Sequence, residues 1–202
     1  MKNLYIFVFV LFIGHFCFAE NIIPAKSRQN RADFLDPYIK EGAVGAEIGV
    51  AGGSFSYHFL LPKNPKKLFL IDPWTDAGIP RTIDQSKDAL LNFQTKMYQY
   101  VAKLFEEYPN VEVVRMTSDD AVVLFEDNYF DYVYIDGEHS YRAVYCDLTN
   151  YYSKVKPGGY LIGDDYGWRG VKPAVRDFLN LYKDKCKFVD AKAGQFVIRK
   201  IR

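Results

Sequence analysis

The segment Glu47-Ile48-Gly49-Val50-Ala51-Gly52-Gly53-Ser54 constrains the fold of this chain more than any other. It lies between a short apolar run, Ala43 to Ala46, that reads as a strand, and Phe55-Ser56-Tyr57-His58-Phe59-Leu60, which reads as the opening of a helix. Glycine adopts backbone conformations closed to other residues and lets a ligand approach where a Cβ would collide. A helix start presents N–H groups that have no partner inside the helix. Strand, glycine turn and helix start together predict a nucleotide-type binding corner. The acid ahead of the glycines suits a ligand with hydroxyls or a positive charge better than a bare phosphate.

From Ala43 onward, strand and helix patterns alternate. Lys67 to Ile71 reads as a second strand, stopped by Asp72-Pro73. Asp84 to Tyr108 carries Leu90, Leu91, Phe93, Met97, Val101, Leu104 and Phe105 at helical spacing. Val111 to Met116 is a third strand, with Ser118 as the cap of the next helix. Tyr132 to Ile135 is a fourth, and the helix His139 to Lys154 after it stops at Pro157-Gly158-Gly159. Tyr160 to Ile162 is a fifth, and Val171 to Tyr182 the helix that follows. Lys187 to Val189 and Gln195 to Ile201 are two last strands, antiparallel because they lie close in sequence. A short helix over Arg31 to Lys40 precedes the set. The fold class is therefore α/β: a Rossmann-like, doubly wound sheet, mostly parallel with an antiparallel C-terminal strand, and helices on both faces.

The 202 residues suffice for one domain with its own core. Residues 1–19 have the layout of a signal peptide: Lys2, an apolar run from Leu4 to Phe18, and Cys17-Phe18-Ala19 with small residues where a signal peptidase reads. The run falls short of the roughly 20 apolar residues of a spanning helix. The expected product is an exported single domain over residues 20–202, without a membrane span after cleavage; an uncleaved anchor is the alternative. Cys146 and Cys186 are the cysteines left. Export permits a disulfide between them, and buried free thiols are equally open. A net charge of +1 argues against nucleic acid as a partner.

The acids fall in one place. Glu47, Asp72, Asp136, Asp164 and Asp165 all sit at or just beyond the C-terminal end of a predicted strand. In an open parallel sheet that edge holds the ligand crevice. A single Asp there reads as a helix cap; capping explains five on one edge poorly.

With these residues in view, the chain resembles the class I S-adenosylmethionine-dependent methyltransferases from about Arg31 to Ile201. Glu47 to Ser54 resembles the family's first motif, acid-x-Gly-x-x-x-Gly. Asp72 resembles the acid that binds the ribose hydroxyls, and Ser118-Asp119 lies where the family holds the adenine. Lys156-Pro157-Gly158-Gly159 is a further hallmark. The resemblance implies an S-adenosylmethionine site formed by Glu47, Gly49, Gly52, Gly53, Ser54, Asp72, Ser118, Asp119 and Asp136. Within the superfamily the chain is similar to small O-methyltransferases of the catechol and macrocin types, on Asp136-Gly137-Glu138-His139-Ser140-Tyr141 and Gly163-Asp164-Asp165.

That similarity implies methyl transfer to a hydroxyl of a small molecule or sugar. It also implies Mg²⁺ held by Asp136, Asp164 and Asp165, an oxygen set such as Mg²⁺ prefers. Catechol-type enzymes carry Asp-Asn where this chain has Asp164-Asp165; the macrocin-like group carries Asp-Asp. A metal-free site, with Asp136 orienting the substrate and Asp164 holding loop backbone, stays open beside it. The catalytic candidates are Asp136, Glu138 and His139. Histidine has a suitable ordinary pKa for the base, while Glu138 stands where macrocin-like enzymes carry an acidic one. Tyr141, Tyr166 and Trp168 are candidates for a substrate pocket, and Trp74 for stacking on adenine.

Two other readings compete. A nicotinamide-dependent oxidoreductase would carry Gly-x-Gly-x-x-Gly, where this chain has Glu47-x-Gly49-x-x-Gly52-Gly53. An exported protein that keeps the fold and the cofactor site without catalysis is the other.

Overall fold

Short runs of β-branched and aromatic residues form the centre of the molecule, a seven-stranded sheet seen in a computed structural model that describes residues 25–75 and 87–202. The chain runs through α1 (Ala25–Leu35), β1 (Val44–Ile48), a π-helical turn (Ser56–Leu60) and a 3-10 turn (Leu61–Lys63). Next come β2 (Lys67–Ile71), α2 (Lys87–Phe105), β3 (Val111–Val114) and α3 (Ser118–Ala121). It ends with β4 (Phe130–Ile135), α4 (Tyr141–Tyr152), β5 (Val155–Gly163), α5 (Val171–Leu181), β6 (Cys186–Lys192) and β7 (Gln195–Lys200). The expected leader at residues 1–19 and positions 76–83 of the Thr75-to-Ile83 loop lie outside the described residues. Among the described residues, no helix is long and apolar enough to cross a membrane.

The strand order is β3-β2-β1-β4-β5-β7-β6. β1 to β5 are parallel and β7 is antiparallel to both β5 and β6. The chain leaves β1 in one direction along the sheet and returns on its other side at β4. That reversal opens a crevice at the C-terminal strand ends. The register brings those ends level: Ile48 pairs with both Ile71 and Ile135, Ile71 with Val114, and Ile135 with Gly163.

Alternate residues of each strand feed opposite faces. Ala46, Ile48, Val133 and Ile135 pack under α4 and α5 with Leu148, Val175 and Phe178. Leu68, Leu70, Tyr132 and Tyr134 pack under α1 and α2 with Leu35, Val101 and Phe105. The doubly wound α/β arrangement with an antiparallel C-terminal edge is thus present. Cys146 and Cys186 are free thiols.

Of the boundaries that differ from the sequence pattern, three have a local cause. α1 ends at Leu35 rather than running to Lys40, because Pro37 disfavours helical backbone at the residue before it. β5 spans Val155–Gly163 and absorbs Pro157-Gly158-Gly159. A register shift against β4 accommodates them, as bulges do for residues unfit for a regular ladder. The cap of α3 is Thr117, whose hydroxyl accepts from the Asp120 N–H at 3.1 Å. Ser118 is therefore free for another partner.

Candidate active site

The glycine corner is built around close approach. Gly49 has φ +85°, and a Cβ there would lie 2.2 Å from the Asp136 carbonyl oxygen, so β1 and β4 can leave the sheet side by side only with glycine at this point. Gly53 also has positive φ and packs against α2. A Cβ on Gly52, by contrast, would meet nothing within 4 Å, which marks the open side of the corner. Ser54 is exposed at its lip.

Asp72 braces the corner from β2. Its Oδ2 accepts from the N–H groups of Val50 at 2.9 Å and Ala51 at 3.0 Å, and its Oδ1 from that of Trp74 at 2.7 Å. A carboxylate offers about four lone-pair sites, so this half-buried group keeps capacity for a ligand hydroxyl. Trp74 is buried, and its indole N–H donates to the Ala51 carbonyl at 2.9 Å. This indole locks the corner and does not stand open to stack on adenine.

Glu47 corrects an expectation. It is 1% exposed, its carboxyl accepts from the Ser56 hydroxyl, and burial pushes its pKa well above the carboxylate range. It supports the corner from beneath and does not line the crevice.

Ser118 and Asp119 are anchored to α4. Ser118 Oγ donates to Asp147 Oδ1 at 2.5 Å, Tyr151 donates to the Ser118 carbonyl at 3.0 Å, and Asn150 donates to Asp119 at 2.8 Å. No sequence motif marks Asp147, although Val144, Asp147, Leu148 and Tyr151 form one buried helical stripe. A lone acid in such a stripe is the signal. Burial pushes Asp147 up to about 7 against the pull of Ser118, with Asp119 and Glu138 adding to the rise.

A carboxyl raised on folding binds protons more readily in the native state, so stability falls as pH climbs from about 4 to about 7 and is level above. The full effect is on the order of 4 kcal/mol. Asp147→Asn keeps an acceptor for Ser118 and removes the charge. Urea unfolding at pH 5 and pH 8 should show the variant gaining on wild type at the higher pH; an equal gap at both would contradict the assignment.

At the ends of β4 and β5 the expected acids separate. His139 Nε2 lies 3.0 Å from Asp165 Oδ2 and 3.4 Å from Asp136 Oδ1. Asp136, His139 and Asp165 place their ligand atoms within 4.8 Å of one another. The Asp136 carboxylate, reinforced by Asp165, raises the imidazole above its ordinary value despite partial burial. Burial raises Asp136 in turn, against the pull of His139 and Arg31. Glu138 is exposed and its charge bears on Asp147, towards the Ser118 side. The two candidate bases therefore face different neighbours.

Asp164 is 7% exposed, with both oxygens engaged and one of them held by a cation. Its Oδ2 meets Arg31 Nη2 at 2.6 Å, and its Oδ1 accepts from the Asp165 N–H at 2.7 Å and from the Gln195 amide. Burial and the charge of Asp136 push this carboxyl up to about 7, against the pull of Arg31; every group at its oxygens is a donor, so the contacts themselves favour the ionised form. The expected Mg²⁺ cage of Asp136, Asp164 and Asp165 does not fit this arrangement. Arg31 and Gln195 were not singled out in the sequence, since no local motif marks them.

Residues 46–166 match the family described as a methyltransferase domain, and the chain belongs to that family. An uncharacterized protein of Acanthamoeba polyphaga mimivirus is 30% identical over 152 residues, covering 73% of this chain and 62% of its own length. The chain thus spans less than two thirds of that relative. Among solved structures, the O-methyltransferase NovP is similar with a TM-score of 0.58 and 20% identity, over 88% of this chain and 78% of that one. The N-methyltransferase NodS from Bradyrhizobium japonicum WM9, in complex with S-adenosyl-L-homocysteine, is similar with a TM-score of 0.52 and 14% identity, over 88% and 86%. At these identities the likeness carries the fold, and it includes both O- and N-methyltransferases.

Proposed function

We propose that this protein transfers a methyl group from S-adenosylmethionine to a hydroxyl oxygen of a small molecule or sugar. The observation that carries the reading is the His139 imidazole held between Asp136 and Asp165, on the same sheet edge as the glycine corner. The bound donor supplies an electrophilic methyl on a sulfonium sulfur, open to in-line attack by an oxygen. Asp72 offers its remaining acceptor capacity to the ribose hydroxyls, and the open side of Gly52 leaves room beside it. Ser118 and Asp119, pinned by α4, border the adenine end.

At the other end, the two carboxylates fix the His139 proton on Nε2, which leaves Nδ1 to accept the proton of the acceptor hydroxyl. They also stabilise the imidazolium that results. No step runs through a metal. Trp168, whose ring lies 4.9 Å from that of His139, and exposed Tyr141 give the approach an aromatic rim suited to a ring-shaped acceptor.

Calorimetry with S-adenosylmethionine and its demethylated product is the first test. Transfer of labelled methyl to a panel of phenols, sugars and amines is the second. Labelling of hydroxyl acceptors supports the reading; labelling confined to amines, or no cofactor binding, overturns it. Asp72→Ala should weaken binding of the demethylated product about 10- to 100-fold, since a hydrogen bond to a charged group is worth roughly 1.5–3 kcal/mol. An unchanged affinity would remove Asp72 from the ribose site.

A further inference from the structure

Three elements converge on Asp164. Arg31 reaches it from α1 at 2.6 Å, and Gln195 reaches it from the start of β7. Tyr134 of β4 donates to the Gln195 side-chain oxygen and so turns the amide nitrogen towards Asp164. The Arg31 side chain is 19% exposed, and its guanidinium lies 5.8 Å from the centre of the Phe55 ring, over the glycine corner's exit. Its charge also acts on Asp136 and Asp165. A guanidinium placed so occupies the Oδ2 of one of the three expected metal ligands. It also repels a divalent ion approaching the other two.

The Asp164–Asp165 turn passes this arrangement on to His139. Asp165 stands at φ +53°, a conformation costly for a non-glycine residue. The hydrogen bond from its N–H to Asp164 holds it there. Arg31 fixes Asp164, Asp164 fixes the turn, and the turn presents Asp165 to His139.

We propose that Arg31 is the resident cation of this site, standing in place of a divalent metal, so that the site works without a metal ion and is complete only when α1 is docked. Arg31 is a positioning residue: it acts through Asp164 and does not touch the reacting atoms. The inference rests on the methyl-transfer reading only where activity is measured; its metal-binding arm stands apart.

The test is titration of the full chain with Mn²⁺, followed by the electron paramagnetic resonance signal of the free ion. Wild type is expected to bind no Mn²⁺ at millimolar concentration. Arg31→Ala frees Asp164 beside Asp136 and Asp165 and should gain at least about tenfold in Mn²⁺ affinity, because one unit charge within a few Å is worth several kcal/mol at a protein-like dielectric. Arg31→Lys keeps the charge and should stay metal-free, while Arg31→Ala combined with Asp164→Asn should lose the gain. Circular dichroism checks folding, and Arg31→Gln replaces a variant that does not fold. Mn²⁺ binding by wild type, no gain on removing Arg31, or methyl transfer abolished by EDTA and restored by Mg²⁺ would each overturn the proposal. A metal-free wild type with the predicted gain, in a chain that transfers no methyl group, would leave the inference standing and remove the methyl-transfer reading instead.

Discussion

Replacing His139 with Gln should lower kcat for methyl transfer by about 10²- to 10⁴-fold, the usual worth of a positioned general base. Affinity for the demethylated cofactor should persist, since the residues proposed to hold it lie just past β1 and β2 and on α3. The imidazole is raised above its ordinary value, mainly by Asp136. It can accept a proton only when neutral, so the wild-type rate should climb as pH passes upward through that raised value and then level off. In His139→Gln that limb should vanish, because glutamine does not titrate. Glu138→Gln is the comparison. Glu138 is exposed and its charge bears on Asp147 rather than on His139, so the variant should keep both the rate and the pH limb. If Glu138→Gln shows the large loss and His139→Gln does not, the base has been assigned to the wrong residue. Loss of cofactor binding in His139→Gln would show a structural role for the imidazole instead.

What the sequence made legible was local. Strands such as Lys67–Ile71 and Phe130–Ile135 announce themselves by composition, and the glycines of the corner sit at fixed offsets from the end of β1. Those signals suffice to align five acids along one sheet edge. They do not say which way each carboxylate turns. Glu47 and Asp164 share that edge with Asp72 and Asp136, yet Glu47 is buried against Ser56 and Asp164 against Arg31 and Gln195. The deciding partners of Asp164 come from α1 and β7, far away in the chain, where no spacing rule links them to Gly163-Asp164-Asp165. Ser118 illustrates the same limit at shorter range. Ser, Thr and Asp compete for a cap position on nearly equal terms, and Thr117, one residue earlier, takes it. The displaced Ser118 hydroxyl then finds Asp147, a contact only the packing of α3 on α4 can create.

Gly49→Ala and Gly52→Ala should fail in opposite ways, which makes the pair a direct test of the glycine corner. At Gly49 the added methyl would sit 2.2 Å from the Asp136 carbonyl oxygen and 2.6 Å from the Gly137 Cα, backbone atoms with no rotamer to escape into. The residue also stands at φ +85°, where an L side chain is strained. Strain of this kind is worth roughly 1–3 kcal/mol, and forcing β1 and β4 apart adds to it. The expected loss is about 3–5 kcal/mol, in the range that marks a specific structural failure, read as a fall in the urea midpoint. At Gly52 the methyl meets no protein atom within 4 Å and the backbone is not in the left-handed region. Stability should therefore hold at Gly52, while affinity for the demethylated cofactor drops at least about tenfold as the methyl fills space the ligand needs. A Gly49→Ala protein that unfolds at the wild-type midpoint would mean that β1 and β4 do not leave the sheet as close together as described. A Gly52→Ala protein with wild-type cofactor affinity would place the donor elsewhere than against the open side of this corner.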